Sequence, residues 1–428
     1  MTFPPTSRLF FMALFALQFA SAEAAYWLPG VEKLDPELAG APSLRFDADE
    51  QSTPPAWKAL WKGQPATERW SEEATRLIVK YRLNPLRSVR ILALLHVAMH
   101  DAGLRTETLG LKEAGQSAAT HIAASRMLAH FFPLESPERF EAMGESVLLA
   151  LAATLPDHAR EIGKGASIGE GVARLAVLRA LNDSADAVWD ARDRPPGKPG
   201  LWRGTPPLDS AHPQEPLAGR WQTWAIKNGG EFQPPVPPSP DSAAFLLAAK
   251  EVLEVSHNLT PEQKRSAEYW HLDQGTVTPP GLWNNKAREL AAGQKLSEKE
   301  RLRVLSTLNV AMMDASIACW HAKYTWWVQR PFTAIHAHLD DTFVPYLVTP
   351  PHPSYISGHA TVSGAAAEIL KHFFPEEAHR IDGWAEEAAQ SRLYGGIHFR
   401  FDNEAGLDVG RQVGKAVLMQ LGDEREYK

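Results

Sequence analysis

The chain has a single cysteine, Cys319, among 428 residues, so it can form neither an internal disulfide nor a metal site built from several thiolates. It has no long run of basic residues and its formal net charge is −7, which argues against the extended basic surface that nucleic-acid binding needs. Apolar residues make up 44% of the chain, which is enough to build a core. Any anion must therefore be bound by a local cluster of cations.

The N-terminus has the three-part pattern of a secretory signal peptide. Arg8 precedes an apolar run over residues 9–17, and small residues follow around Ala22. A membrane anchor, the alternative, needs about 20 apolar residues. We therefore predict that residues 1–24 are a signal peptide, cleaved after Ala22, and that the protein is exported to the periplasm or secreted. No later apolar stretch is expected to span a membrane, so the mature protein should have no membrane contact.

The periodicity of the remaining chain is helical. Apolar residues over 91–99 recur at the spacing of a helix with one broad buried face. Residues 260–263 and 297–300 have the sequence of N-terminal capping boxes. Because strand-like alternation is scarce, we predict an all-α protein.

Residues 192–240 interrupt this helical pattern. Both ends of the stretch are rich in proline, which excludes regular helix, and Trp202, Trp221 and Trp224 lie between them. A flexible linker seldom carries three tryptophans. We predict an ordered crossover between a first helical bundle at residues 25–191 and a second at 241–428.

The two halves share an internal repeat. Three pairs of segments match in the same order: residues 90–102 with 303–315, 127–133 with 369–375, and 165–172 with 406–413. One alignment explains all three if the second half contains a single insertion of about 29 residues. We predict two related helical bundles; the alternative is coincidental similarity between amphipathic helices.

The second half also contains a set of residues suited to binding a tetrahedral oxyanion. Lys323, Arg330 and Arg392 supply positive charge, and the arginines offer forked donors that match paired oxygens. Ser357 adds a hydroxyl donor, and Gly358 allows close approach of the backbone at the start of a helix. Alone, each of these residues is more typical of a solvated surface or of ordinary packing.

Two histidines complete the set. His359 and His398 supply a ligand or nucleophile and an acid–base group, a division that group transfer commonly needs. Asp402 follows His398 by four residues and would reach its second ring nitrogen from the same face of a helix.

These residues form three ordered motifs: K-x6-R-P from Lys323, S-G-H from Ser357, and S-R-x5-H-x3-D ending at Asp402. The set resembles the signature shared by vanadium-dependent haloperoxidases and type 2 phosphatidic acid phosphatases. It departs from that signature at Ile356, where a proline usually precedes Ser-Gly-His. The likeness extends over about residues 85–420 and implies two four-helix bundles related by a pseudo-twofold axis.

The resemblance also implies a role for each residue. Vanadate would be the cofactor, and phosphate can occupy the same site. The oxygens of vanadate would be bound by Lys323, Arg330, Ser357, Gly358 and Arg392. His398 would bind the vanadium, His359 would be the acid–base, and Asp402 would orient His398. The first half lacks these groups. Residues 115–117 stand where the repeat alignment would place Ser-Gly-His, and Asp157 stands where it would place His398.

Two residues favour a haloperoxidase over a phosphatase. Trp320 resembles a tryptophan of the haloperoxidase pocket, and His352 stands where bromide-oxidising relatives carry histidine and chloride-oxidising ones phenylalanine. The resemblance thus implies oxidation of a halide, bromide or iodide rather than chloride, by hydrogen peroxide, with a small organic acceptor. The alternatives are a soluble exported acid phosphatase, with His398 as the phosphohistidine nucleophile, and an anion-binding scaffold without activity. The oligomeric state is left open.

Overall fold

A computed structural model describes residues 26–37 and 64–422, and the regular structure within them is helical. Thirteen α-helices follow one another: α1 Ala66–Lys80, α2 Pro85–Thr108, α3 Glu113–Phe131, α4 Pro137–Thr154, α5 Ala159–Asn182, α6 Ala243–His257, α7 Pro261–Tyr269, α8 Thr278–Gly293, α9 Glu298–Trp326, α10 Pro331–His338, α11 Gly358–Phe373, α12 Ala378–Tyr394 and α13 Arg400–Gln420. Within these ranges β-pairing is limited to one isolated bridge between Leu201 and Val328. The all-α prediction is confirmed. The predicted signal peptide, residues 1–24, lies outside the described residues.

Local sequence signals mark where several helices begin. Thr260 and Ser297 each accept a hydrogen bond from the third residue of the following helix, whose Gln263 or Glu300 side chain reaches back to the cap. Both predicted capping boxes are therefore present. The expectation of one buried face for the helix over residues 91–99 is wrong, because this part of α2 is buried on all sides. Helices α3, α5, α8 and α9 all pack against α2, so no face of its centre remains for solvent.

The repeat corresponds to two bundles of equivalent helices. Helices α2 to α5 form the first bundle, and α9 with α11 to α13 occupies the matching positions in the second. In each bundle the helices that carry the second and third segments of the repeat pack together most extensively, α3 on α5 and α11 on α13. Helices α2 and α9 pack against each other and join the two bundles.

Glycines in the repeat allow these helix pairs to approach closely. A Cβ atom on Gly165 of α5 would lie 2.0 Å from the Gly115 carbonyl oxygen of α3. In the second bundle, a Cβ on Gly410 of α13 would lie 2.1 Å from the Thr361 carbonyl oxygen of α11. The repeated glycines are thus required by packing, since any larger residue would separate the two helices.

One aspartate in each bundle fastens a non-helical segment to the central helix. Asp314 of α9 accepts the backbone N–H groups of residues 224–226 in the crossover. Asp101, the equivalent residue of α2, accepts those of Trp27 and Leu28. These charge-assisted hydrogen bonds explain how a proline-rich segment without α-helix remains ordered across the bundle. The two bundles therefore share this aspartate contact as well as their equivalent helices.

The length and composition of helix α9 contradict the expectation that no apolar stretch after the signal peptide could span a membrane. Within the described residues it is the one helix long and apolar enough to do so, and 94% of its apolar window is buried inside the fold. Its apolar surface is covered by α2, α11 and α13. The helix is therefore part of the core that joins the two bundles.

The close contact at Gly165 predicts a position-specific loss of stability. Gly165→Ala should lower the free energy of unfolding by about 1–3 kcal/mol, because a methyl group cannot fit against the Gly115 carbonyl. Gly163→Ala is the matched control on the same helix, where nothing lies within 4 Å, and it should be neutral or stabilising by up to about 1 kcal/mol. Urea unfolding measures both. Equal effects of the two substitutions would contradict the packing account.

Candidate active site

The segment between α9 and α11 distinguishes the second bundle from the first. Residues 327–357 join these helices, whereas residues 109–112 join α2 and α3. This longer connection contains α10 and carries Arg330, His352 and Ser354 to the end of the bundle where α11 begins. The insertion inferred from the repeat is therefore the segment that adds new polar groups to an otherwise common scaffold.

The start of α11 presents a backbone suited to an anion. Ser357 is the N-cap and Gly358 the first helical residue, as predicted, so unpaired N–H groups of the first turn converge here. A Cβ on Gly358 would approach the Trp320 ring to 3.2 Å, so only glycine fits without displacing that ring. The main-chain N–H of Ser357 donates to the Asp402 carbonyl at 3.0 Å, which ties the α11 start to α13.

His398 and Asp402 form a buried hydrogen-bonded pair. The His398 Nδ1 atom lies 2.8 Å from Asp402 Oδ2, which also accepts hydrogen bonds from Ser354 Oγ and the Phe399 N–H. The contact is as expected, but its assumed geometry is wrong. His398 precedes α13, which begins at Arg400, and Asp402 reaches back to it from the first turn of that helix.

Hydrogen bonds assign the tautomer of His398. A carboxylate only accepts, so Nδ1 carries the proton that bonds Asp402. Arg330 Nη1 only donates, and it lies 3.0 Å from His398 Nε2. Nε2 therefore presents a lone pair beside a guanidinium group, the state that a metal ligand or a nucleophile needs.

Three cationic side chains are buried at this site. Arg330 donates to the carbonyls of His352 and Ile397, both at 2.8 Å. Lys323 donates to two carbonyls of the inserted segment, those of Pro353 at 2.8 Å and Ser354 at 2.9 Å.

Arg392 is held from another direction. It donates at 3.2 Å to the Ala267 carbonyl of α7. Main-chain dipoles from three separate segments thus orient the three cations of the site.

The burial of these cations is not balanced by carboxylates. Lys323, Arg330 and Arg392 are at most 1% exposed, and among the described residues the one equally buried carboxylate beside them is Asp402. Burial lowers the pKa of Lys323 to about 7, that of Arg330 to about 10 and that of Arg392 to about 9. Asp273, half-buried near Arg392, opposes the shift there. Excess buried positive charge of this kind is relieved by an anion.

A cavity of about 70 Å³ lies at the centre of these groups. Six predicted site residues line it: Trp320, His352, Gly358, His359, Arg392 and His398. The other four, Lys323, Arg330, Ser357 and Asp402, lie directly behind its wall. The structure therefore brings together all ten residues, although Lys323 donates to two carbonyls and Arg330 to two carbonyls and two imidazole nitrogens.

His359 has one ring nitrogen free for a ligand. It hydrogen-bonds the Trp270 carbonyl, and its Nε2 is buried with no protein partner. The carbonyl bond is therefore made by Nδ1–H, which leaves the Nε2 lone pair facing the cavity. Burial, together with Arg392, holds the pKa of His359 well below its usual value. A neutral imidazole with a free lone pair is suited to accept a proton.

His352 and Trp320 form an aromatic side of the cavity. Their ring centroids are 5.0 Å apart. His352 Nδ1 lies 2.9 Å from Arg330 Nη2, which only donates, and 3.3 Å from the Pro353 carbonyl, which only accepts. The shorter contact places the lone pair on Nδ1 and the proton of the neutral imidazole on Nε2. An N–H donor beside an aromatic surface is suited to a polarisable anion.

Sequence reasoning missed other residues that line this cavity, among them Gln214, His271 and Asp273. Gln214 comes from the crossover, and its carbonyl accepts the Trp320 Nε1–H and the Tyr324 hydroxyl. His271 and Asp273 follow α7. None lies in a motif, and only the fold brings them to the site. Three tryptophans between proline-rich ends did predict an ordered crossover, but not which of its residues would reach the cavity.

Comparison with known proteins identifies the second bundle. Residues 303–383 and 377–424 match the family described as the VCPO second helical-bundle domain. The C-terminal bundle is therefore similar to the second helical bundle of that family. The recognition of vanadium haloperoxidase relatives from the three motifs is therefore confirmed. Vanadium chloroperoxidase from Curvularia inaequalis is 25% identical in an alignment 154 residues long, which covers 30% of this chain and 25% of that protein.

Solved structures extend the likeness to both bundles. A bacterial vanadium-dependent iodoperoxidase, described as the first of its kind, superposes with a TM-score of 0.70 at 25% identity, over 83% of this chain and 95% of its own. A holo-type bacterial vanadium-dependent chloroperoxidase gives 0.63 at 16% identity, over 80% and 93%, and shares the fold. The similar proteins are thus haloperoxidases, enzymes of the peroxidase class.

The buried charge predicts that anion binding takes up a proton. Sulfate, a tetrahedral anion that does not titrate near neutrality, should bind at about pH 8.5 with uptake of about one proton. Lys323, whose pKa is about 7 in the anion-free chain, would become charged beside the anion. Calorimetry in buffers of different ionisation enthalpy measures this uptake.

Lys323→Met should abolish that uptake and weaken sulfate binding. Lys286→Met is the control, because burial also lowers the pKa of Lys286, which lies outside the cavity and against Trp384. Undiminished uptake in the Lys323 variant would show that another group takes up the proton.

Proposed function

We propose that the chain is a vanadate-dependent haloperoxidase that uses hydrogen peroxide to oxidise bromide or iodide, which then halogenates a small organic acceptor. The observation that carries the proposal is the convergence of three buried cations and two neutral histidines on one small cavity. The similarity to vanadium haloperoxidases supports it.

The donor set fits vanadate. Lys323, Arg330 and Arg392 would compensate the charge of its oxygens, and Ser357 and the Gly358 N–H would add donors. His398 Nε2, with its lone pair set by Asp402, would hold the vanadium. When bound, vanadate would supply the Lewis acidity that makes hydrogen peroxide electrophilic towards a halide.

His359 is the acid–base group of the proposal. Its Nε2 lone pair faces the cavity, and the Trp270 carbonyl fixes the ring through Nδ1. It would take a proton from hydrogen peroxide. It would return that proton to the hydroxide that leaves when the O–O bond breaks, or to the hypohalite that forms from the halide. Because burial keeps its pKa low, His359 is neutral and ready to accept a proton near neutral pH.

The pocket wall supports bromide or iodide over chloride. His352 offers an N–H donor and Trp320 a polarisable surface, and both suit a large, weakly hydrated halide. The iodoperoxidase likeness at 25% identity is consistent with this preference.

The proposal also includes export of the protein to the periplasm or out of the cell. It rests on the signal-peptide pattern of residues 1–24 and would be checked by N-terminal sequencing of the secreted or periplasmic protein. A mature chain that still begins at Met1 would refute it.

A phosphatase would use the same pocket, with His398 as nucleophile. Protein purified without phosphate and then given vanadate should brominate an organic acceptor in the presence of peroxide, and the vanadate-free sample should not hydrolyse phosphate monoesters. Phosphate should inhibit bromination by competing for the cations. Monoester hydrolysis without bromination would replace the proposal with the phosphatase, and neither activity would favour an anion-binding scaffold.

Substitution of the two histidines should separate cofactor binding from turnover. His398→Ala should lose vanadium on gel filtration, because the ligand atom is gone. His359→Ala should retain vanadium and lose turnover by about a hundredfold or more. His338→Ala, exposed at the end of α10, is the control and should change neither. A fully active His359 variant would refute the acid–base assignment.

Replacement of His352 should alter halide preference. His352→Phe should reduce kcat/KM for bromide and iodide relative to chloride, because the N–H donor is lost. His352→Gln keeps a donor and should retain more of the original preference. Steady-state kinetics with each halide at saturating peroxide measure this. An unchanged ratio in the Phe variant would remove the argument for bromide and iodide.

A further inference from the structure

A second and larger cavity lies in the first bundle. Its volume is about 330 Å³, which is within the range of small-molecule sites. It is enclosed by α1, α2, α3 and the start of α9, and it shares no lining residue with the candidate active site. The proposed oxidation does not use it.

The repeat places this cavity at the position equivalent to the active site. Gly103 and Glu107 of α2 line it, as Ser316 and Trp320 of α9 line the other cavity. Gln116 and Ser117 in the first turns of α3 correspond likewise to Gly358 and His359 of α11. The first bundle has therefore lost the oxyanion residues but kept an opening between the same helix ends.

The charged side chains that line this cavity are mainly acidic, whereas those at the candidate active site are mainly basic. Three carboxylates line it, those of Glu107, Glu113 and Glu298, against two cations, Lys299 and Arg303. Lys299 is already paired with Glu107 at 2.6 Å. Glu113 has no ion-pair partner among the described residues and is exposed at the rim. An anion is therefore disfavoured here, and a cation is attracted.

A hydrogen-bond acceptor lies at the inner wall. His100 is nine-tenths buried, and its Nδ1 lies 2.9 Å from Asp101 Oδ1. Asp101 also accepts the N–H groups of Trp27 and Leu28, so Nδ1 is the donor to it. In the neutral imidazole, Nε2 then carries a lone pair, and in the described part of the chain it has no partner. His100 lines the cavity, so this unsatisfied acceptor is available to a ligand.

Part of the remaining wall is apolar. Leu104, Leu302 and Leu421 line it together with Pro65 and Ala66. We propose that this cavity binds a small organic amine, whose ammonium group is attracted by Glu113 and donates to His100 Nε2, and whose aromatic or aliphatic body lies against the leucines. This is a binding site separate from the anion site of the second bundle.

The test uses three probes of nearly the same shape and different charge. Calorimetric titration of the full chain, purified without vanadate, is carried out with 2-phenylethylamine, 2-phenylethanol and phenylacetate. The amine should bind most tightly, the alcohol more weakly, and phenylacetate not at all. Saturating phosphate, which would occupy the other cavity, should leave amine binding unchanged. No binding of the amine, equal binding of phenylacetate, or displacement by phosphate would each overturn the proposal.

Two variants place the amine in this cavity. Glu113→Gln should weaken amine binding by about threefold, because a partly exposed charge pair contributes about that much to affinity. The affinity for the alcohol should not change. Ser117→Phe should fill the cavity and abolish binding of both. Glu145→Gln removes the same charge from the exposed side of α4 and should bind the amine normally. Thermal unfolding shows that each variant is folded. Unchanged amine affinity in both cavity variants would overturn the assignment.

Discussion

The second bundle is organised around positive charge that the protein buries without matching carboxylates. Lys323, Arg330 and Arg392 lie in the interior, and in the part of the chain that the structure describes they have a single buried carboxylate beside them, that of Asp402. Main-chain carbonyls of the inserted segment, of α7 and of the residues before α13 orient them. Carbonyl dipoles lower the cost of burial but carry no net charge, so the site is electrostatically complete only with an anion. Burial lowers the pKa of each of the three cations.

The same scaffold gives different chemistry in the two bundles. Both use glycine at the helix crossing, as at Gly165 and Gly410, and an aspartate on the central helix to fasten a non-helical segment. The second bundle differs by the connection over residues 327–357, which carries Arg330 and His352 into place. The equivalent opening of the first bundle has carboxylates and an imidazole acceptor instead. The two bundles thus have the same helical scaffold and different polar groups in their equivalent cavities.

The motifs predicted which residues would converge, because their order and spacing are those of a known oxyanion signature. They did not predict the geometry behind each contact. His398 meets Asp402 from a loop rather than along a helix, since α13 begins only at Arg400. The carbonyl partners of the cations and the approach of Gln214 depend on how distant segments pack, which has no local sequence signal. For the same reason, periodicity underestimated the burial of α2.

A crystal structure of the chain grown with vanadate and without phosphate tests the central claim most directly. The account predicts density for vanadate in the smaller cavity, held by His398 Nε2, with Lys323 and both arginines turned towards its oxygens. An empty cavity with the three cations still bonded to carbonyls, or vanadate bound elsewhere on the chain, would contradict it.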